Sequence, residues 1–191
     1  LQDLLVDDAL TVVIAGMGGS LISDIMEKGT DKLHKSFVKR LILQPNIGEH
    51  HIRGWLLESE GWFLSHETIL EDEGKIYEIL VADRLADSEP LHTELYHVNI
   101  DDLGISAAMM SPDVPEVLPV SVLLRMGPYL IRNPDETWFR KWDMEWKKNL
   151  HVMKQLAQSN RADVLERKRQ RMDEWSIMRE VWRCLQKRKQ S

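Results

Sequence analysis

The sequence predicts an α/β protein, part of a parallel-type sheet followed by an antiparallel pair of long helices. Three observations carry this. In Thr11–Gly19 (TVVIAGMGG), residues suited to a buried strand run into Gly16-Met17-Gly18-Gly19, and an amphipathic helix starts near Ser20. A second apolar run, Leu41-Ile42-Leu43, comes after that helix and completes a βαβ unit with a right-handed crossover. From Asp135 to Lys187, apolar residues recur in steps of three and four, the period of a helix face.

Residues 1–10 read as a helix end, at Leu4 and Leu5, and a short loop. The first residue is Leu1 rather than Met, so further sequence upstream is expected. The first strand ends in the glycines. Glycine accepts positive φ and lets another group approach the backbone closely. Ligands of such sheets bind just beyond the carboxyl ends of the strands. Gly16–Gly19 therefore either line a ligand site or serve the geometry of the turn alone. In the helix Ser20–Lys28, the residues Leu21, Ile22, Ile25 and Met26 share a face, and Gly29 is placed to end it.

The second strand spans residues 37–43, and its continuous apolarity fits a sheet covered on both faces. It leads into Gln44-Pro45-Asn46. Asn46 and Glu49 have capping-box spacing for a helix over 49–59, whose buried side is Ile52, Trp55 and Leu56. Gln44 and Asn46 also stand where side-chain amides, which both donate and accept, would match the edge of a nucleobase. His50-His51 is not metal spacing, because adjacent helical residues point about 100° apart.

Trp62–Ile69 and Lys75–Ala82, joined by Glu71-Asp72-Glu73-Gly74, predict an antiparallel hairpin. Glu78 within it reads as a surface residue of an edge strand, or as a side chain turned into a site. From Asp83 to Val120 no period is sustained. Pro90, Pro112, Pro115 and Pro119 mark a linker with a few ordered turns, including a short helix or strand at 91–100. Met126-Gly127-Pro128-Tyr129-Leu130 reads as a packed turn fastening the linker to the helical region after it.

Asn133-Pro134-Asp135-Glu136 is a helix start, with Asn133 as N-cap and Pro134 at the first position. That helix runs to about Gln158. After a break at Ser159-Asn160, a second runs from about Ala162 to Lys187. Trp138, Trp142, Trp146, Met153 and Leu156 on one helix, with Leu165, Met172, Trp175, Met178, Trp182 and Leu185 on the other, predict a coiled-coil-like hairpin. Five of the seven tryptophans lie here, and core packing is the first reading of them, ahead of stacking on unpaired bases. The expected domains are 1–90, an irregular linker 91–126, and a basic helical hairpin 127–191.

Composition narrows the function classes. An apolar fraction of 43% supports a core, and no run approaches the ~20 apolar residues of a membrane span. The sequence shows no signal peptide. Cys184 is the single cysteine, which excludes an internal disulfide and a CxxC metal site and points to a reducing compartment. Charge is divided unevenly. Residues 135–191 hold 15 Lys+Arg against 9 Asp+Glu, and residues 1–134 hold 10 against 22. A basic arm on an acidic body suggests a polyanionic partner, although two solvated helices would look the same. Lys147, Lys148, Arg167, Lys168, Arg169 and Arg171 are the residues expected to track a phosphate backbone.

Taken together, AGMGG after a strand, LILQPN at the end of the next, EHHIRGWLLESEGW, and EDEGKIYEILVA resemble the bacterial tRNA adenine-N1 methyltransferases called TrmK. The resemblance is close over about residues 4–83. It is looser over the hairpin 127–188, including its GPYL start. It implies the later half of a Rossmann-like class I methyltransferase sheet plus a helical coiled-coil hairpin. It implies S-adenosylmethionine as cofactor, adenine 22 of tRNA as target, tRNA as partner, no membrane, and a cytoplasmic location. Gly16, Met17, Gly18 and Gly19 then border the cofactor, while Gln44 and Asn46 orient the adenine as catalytic residues. Arg53 joins Lys147, Lys148, Arg167, Lys168, Arg169 and Arg171 as RNA contacts. Glu67 and Glu78 are possible general bases, and no metal is implied. The glycine turn on the first strand of such a sheet, and the acidic residue on its second, lie outside this chain. The chain alone is accordingly expected to bind the cofactor poorly and to expose a strand edge prone to self-association. The alternative is a non-catalytic RNA-binding or interaction module built on the basic hairpin.

Overall fold

The computed structural model describes residues 11–35, 37–85, 89–112, 114–156 and 162–190. For Lys35, Glu89, Pro90, Ala107, Gln190 and the helical residues 150–156 and 162–171 it describes the backbone alone. The readings of residues 1–10 and of the break at Ser159-Asn160 fall outside the described residues. Two compact units are present, Leu1–Tyr96 with Gly127–Leu130, and His97–Met126 with Ile131–Ser191.

The first unit holds a four-stranded mixed sheet of β1 (Thr11–Gly18), β2 (Arg40–Ile47), β3 (Trp62–Asp72) and β4 (Lys75–Arg84), in the order β1-β2-β4-β3. β1 and β2 are parallel, and β4 pairs antiparallel with both β2 and β3. The hairpin β3–β4 forms as its sequence predicts. Its loop is two residues, Glu73 and Gly74, both at positive φ (46° and 75°) between the paired Asp72 and Lys75. Both central residues at positive φ is the requirement of a type I′ turn, whose twist matches the strands it joins. Because β4 is inserted between β2 and β3, Glu78 lies on an interior strand and is fully buried rather than on an exposed edge.

Helices α1 (Gly19–Lys35) and α2 (Glu49–Glu58) come after the two parallel strands. α1 continues through Gly29 instead of ending there. Ile22, Met26 and Leu33, spaced along one face, are all buried. Burying Leu33 in the last turn outweighs the ~1 kcal/mol that a helical glycine costs. Val12 and Ile14 of β1 and Leu41 and Leu43 of β2 are buried, whereas the intervening Val13 is 64% exposed. The continuous apolar run in β1 thus meets cover on one face only among the described residues. A short helix α3 (Glu89–Leu95) places His92 against Phe63 of β3, ring centroids 5.5 Å apart.

The stretch read as an irregular linker is packed instead. In the second unit, Val98, Ile100, Leu103, Ile105 and Leu118 are buried, and Asn99 bridges to Val117. Helix α4 (Val120–Met126) buries Val122, Leu123 and Met126. Short 3-10 turns at Ile100–Leu103 and Ala107–Met109 keep the apolar positions from showing a regular period. Two long helices complete this unit, α5 (Glu136–Leu156) and α6 (Ala162–Gln190). Asp135, not Asn133, caps α5: its Oδ1 accepts from the Trp138 N–H at 2.7 Å. Along α5 the partners on α6 recede, from Glu136 with Lys189 to Phe139 with Trp182 and Trp146 with Trp175. The two helices are therefore antiparallel. Trp138 and Trp142 are core, whereas Trp146, Trp175 and Trp182 are half-buried; Trp142, Trp146, Trp175 and Trp182 make ring contacts with one another at 4.9–6.4 Å.

Candidate functional site

The residues singled out at the carboxyl ends of β1 and β2 do come together, because two parallel neighbours end on the same side of a sheet. Register runs regularly from Thr11↔Arg40 to Ala15↔Gln44. It then shifts, so that Met17 faces Pro45 and Gly18 faces Ile47. Gly16 is passed over on β1, and Asn46 on β2. The Gly16 φ of +78° is one that an L side chain rarely adopts.

Gln44 and Asn46 hold this place in the ladder. The Gly16 N–H donates to Gln44 Oε1 at 3.1 Å, and Asn46 Nδ2 donates to the Gly16 carbonyl at 2.9 Å. Gln44 Nε2 donates onward to the Pro45 carbonyl at 3.0 Å. Both polar groups of Gly16 are thus engaged by side chains of β2. This corrects one expectation. Asn46 does not cap α2: it lies within β2, and the N-cap is Gly48 at φ 81° with no side-chain cap.

The remaining glycines divide by what surrounds them. A Cβ on Gly16 or Gly18 would meet nothing within 4 Å, so the space above both is open. A Cβ on Gly19 would lie 2.0 Å from the Gly48 carbonyl oxygen. The turns leaving β1 and β2 therefore touch backbone to backbone, and this contact forms the floor of the crevice. Met17, Leu21 and Ile47 are 37%, 51% and 70% exposed around it. No ionisable side chain belongs to Gly16–Gly19 or Gln44–Gly48. Among the described residues, no group of three or more His, Cys, Asp or Glu is placed to hold a metal ion.

Arg53, expected at an RNA surface, is fully buried. The inner side of α2 carries it to the sheet, where its guanidinium lies 2.5 Å from carboxylate oxygens of both Glu67 and Glu78. Burial alone would lower the Arg53 pKa, but the charges of Glu67 and Glu78 outweigh it and raise it. For Glu67, burial and the neighbouring Glu78 raise the carboxyl above its ordinary range, against the pull of Arg53 and the Tyr129 N–H. Neither carboxylate is available as a base in the crevice. Sequence reasoning misses this triad. Its signals are an arginine on the apolar side of a helix and a glutamate within an apolar strand.

Lys147 and Lys148 are exposed on α5, paired within the helix to Asp143 at 2.6 Å and Glu145 at 3.5 Å. Such exposed pairs contribute only about 0.3–0.5 kcal/mol, so both ammonium groups remain open to exchange for another anion. The side chains of Arg167, Lys168, Arg169 and Arg171 lie outside the described residues. Among the described residues, no helix is long and apolar enough to cross a membrane.

A parallel βαβ unit with an open glycine crevice at its strand ends, widened by an antiparallel hairpin, is the architecture of a Rossmann-like α/β protein. The chain belongs to the TrmK family: the family model, described as tRNA (adenine(22)-N(1))-methyltransferase, matches residues 2–106. The chain is 33% identical over 175 residues to the tRNA (adenine(22)-N(1))-methyltransferase of Bacillus subtilis, covering 91% of this chain and 62% of that protein. It therefore spans less than two thirds of that relative's length. The crystal structure of the B. subtilis enzyme superposes with a TM-score of 0.69 at 31% identity, over 95% of this chain and 66% of that one. Streptococcus pneumoniae Sp1610, crystallised in complex with S-adenosyl-L-methionine, is similar at TM-score 0.57 and 30% identity, over 91% of this chain and 60% of that one.

Proposed function

We propose that this chain carries the acceptor side of a tRNA methyltransferase that transfers a methyl group from S-adenosylmethionine to N1 of adenine 22. Family membership supports the reaction. The observation that supports its position is the open backbone at the ends of β1 and β2. No atom lies within 4 Å of a carbon added at Gly16 or Gly18, so another group can approach the chain there. The cofactor supplies an activated methyl group on a sulfonium.

The residues present suit what such a transfer asks. The ring nitrogen attacks with its lone pair, and the positive charge passes from sulfur to the purine, so no proton need be removed in the step. The transfer therefore asks for no general base at the strand ends. Catalysis rests on alignment, which is worth up to about 7–11 kcal/mol when the reacting atoms are held in line. Gln44 and Asn46 act one step back in this reading: they fix Gly16, and Gly16 with Met17, Gly18 and Gly19 shapes the pocket. A target base that is paired or stacked must first be extruded into it. Lys147, Lys148, Arg167, Lys168, Arg169 and Arg171, on an antiparallel coiled-coil-like hairpin, contact the tRNA backbone, and the protein acts in the cytoplasm.

The test is methyl transfer from labelled cofactor to an unmodified tRNA transcript, using this chain supplemented with the part of the B. subtilis relative that it does not span. Label should appear at adenine 22 and vanish when that base is replaced by guanine. Tight tRNA binding with no transfer under any supplementation would favour the non-catalytic RNA-binding module instead.

A further inference from the structure

We infer, on the basis of that tRNA reading, that a cavity where α5 begins and α6 ends is a further RNA contact and takes one unpaired nucleobase. The cavity measures about 310 Å³. Glu136 and Phe139 line it from the first turn of α5, and Gln186 and Lys189 line it from the end of α6. Each pair is three residues apart, so each helix presents two neighbouring side chains on one face. All four residues belong to the second unit. The volume stands at the lower end of the range of about 300–1,000 Å³ usual for small-molecule pockets. That is room for one planar ring system rather than for a bare ion.

Phe139 gives the cavity an aromatic wall of fixed orientation. Its ring meets that of the fully buried Trp138 at 87°, with centroids 5.2 Å apart. Its carbonyl accepts from Trp182 Nε1 at 3.4 Å. The Lys189 ammonium stands over the Phe139 ring, 5.7 Å from its centre, and 3.1 Å from Glu136 Oε1. The ring is thus covered by a group that can leave it. The Lys189 side chain is 48% exposed and that of Glu136 90% exposed, and an ion pair in such a setting contributes little. A base takes the place of the ammonium over the ring, and Lys189 turns to the phosphate beside that base.

The other lining groups suit a nucleobase as well. The Gln186 amide both donates and accepts, which is what the edge of a base asks for. Unpaired bases of RNA are recognised by this combination, stacking on a ring with hydrogen bonds to the base edge. Glu136 opposes a free anion, so the charge of a nucleotide has to lie outside the cavity, where Lys189 can reach it. The helices around the cavity draw a polyanion: residues 135–191 hold 15 Lys+Arg against 9 Asp+Glu.

The experiment measures binding of the full chain to a short single-stranded RNA and to the same strand with abasic sites in place of its bases. The second strand keeps every phosphate. Phe139→Leu should weaken binding of the base-bearing strand about five- to hundredfold, the worth of one stacked base, and leave the abasic strand unchanged. Gln186→Ala should act in the same direction by about two- to tenfold, the worth of one hydrogen bond. Phe139→Tyr keeps the ring and should bind as the parent does. Lys189→Gln should weaken both strands alike, because its partner is a phosphate. If Phe139→Leu does not fold, Gln186→Ala decides. Substitutions at Phe139 and Gln186 that weaken both strands equally, or neither, overturn the inference. A parent that binds neither strand overturns it together with the tRNA reading. Label at adenine 22 in the transfer assay, with the preference for bases unaltered in the variants, overturns this inference alone.

Discussion

Replacing Gly19 with alanine should damage the crevice, while the same change at Gly54 should stabilise the protein. Both glycines are helical, in α1 and α2, and neither has positive φ. They differ in what a methyl group would meet. At Gly54 nothing lies within 4 Å of the added carbon. Alanine there gains helix propensity and lowers the entropy of the unfolded chain, about 0.5–1 kcal/mol in favour of folding. At Gly19 the carbon would lie 2.0 Å from the Gly48 oxygen, 2.6 Å from its carbonyl carbon and 3.2 Å from the Ile47 oxygen. These are backbone atoms and cannot rotate aside.

The two turns would have to part by more than about 1 Å to restore ordinary contact distances. Overpacking of this kind costs about 1–3 kcal/mol. The Gly48 carbonyl also accepts the His51 N–H at 3.1 Å in the first turn of α2. Disturbing that bond adds about 1 kcal/mol. Gly19→Ala should therefore cost about 2–4 kcal/mol, and a 3 kcal/mol loss is roughly a hundredfold in an equilibrium constant. Amide exchange in β2 and α2 is the suitable assay, because five of the seven tryptophans report on the other unit. Protection there should fall about a hundredfold in Gly19→Ala and rise in Gly54→Ala. Equal or greater protection in Gly19→Ala would refute the close approach of the two turns as the floor of the crevice.

Two further outcomes concern buried groups. Arg53→Met should cost about 3–5 kcal/mol at neutral pH, since it strands two buried carboxylates, and the loss should shrink on acidification as they protonate; thermal melts at two pH values would show it, and an unchanged melting temperature would count against the triad. Trp138→Phe should cost more than Trp142→Phe, because Trp138 Nε1 donates to the Met126 carbonyl at 3.0 Å whereas Trp142 Nε1 is buried without a partner. The excess is about 1–3 kcal/mol for a carbonyl left unpaired, read from urea midpoints of the two variants.

How much of the fold is legible in the sequence depends on the range of the forces involved. The βαβ unit and the β3–β4 hairpin are legible because period, apolar runs and turn glycines are local signals. The packed stretch 97–126 is not. Val98, Ile100, Leu103 and Ile105 are buried on short 3-10 and extended pieces, where no period of 3.6 or 2 persists. Glu78 escapes a sequence reading because strand order is a long-range property: nothing within Lys75–Arg84 reveals that β4 enters between β2 and β3.

The crevice shows the same division more sharply. Gly16–Gly19, Gln44 and Asn46 stand out as a set because strand ends and glycine turns mark where ligands bind. Their division of labour is not in the sequence. Gln44 and Asn46 each carry an amide at an otherwise apolar strand end, and both amides are used on Gly16 across the sheet at 2.9–3.1 Å. Two register shifts create that need, one passing over Gly16 on β1 and one passing over Asn46 on β2. At this irregular place in the ladder the Gly16 N–H and carbonyl are taken by the two amides rather than by backbone of β2. The glycine supplies the conformation and the amides hold it, so the course of the backbone at the end of β1 is fixed by side chains of the neighbouring strand.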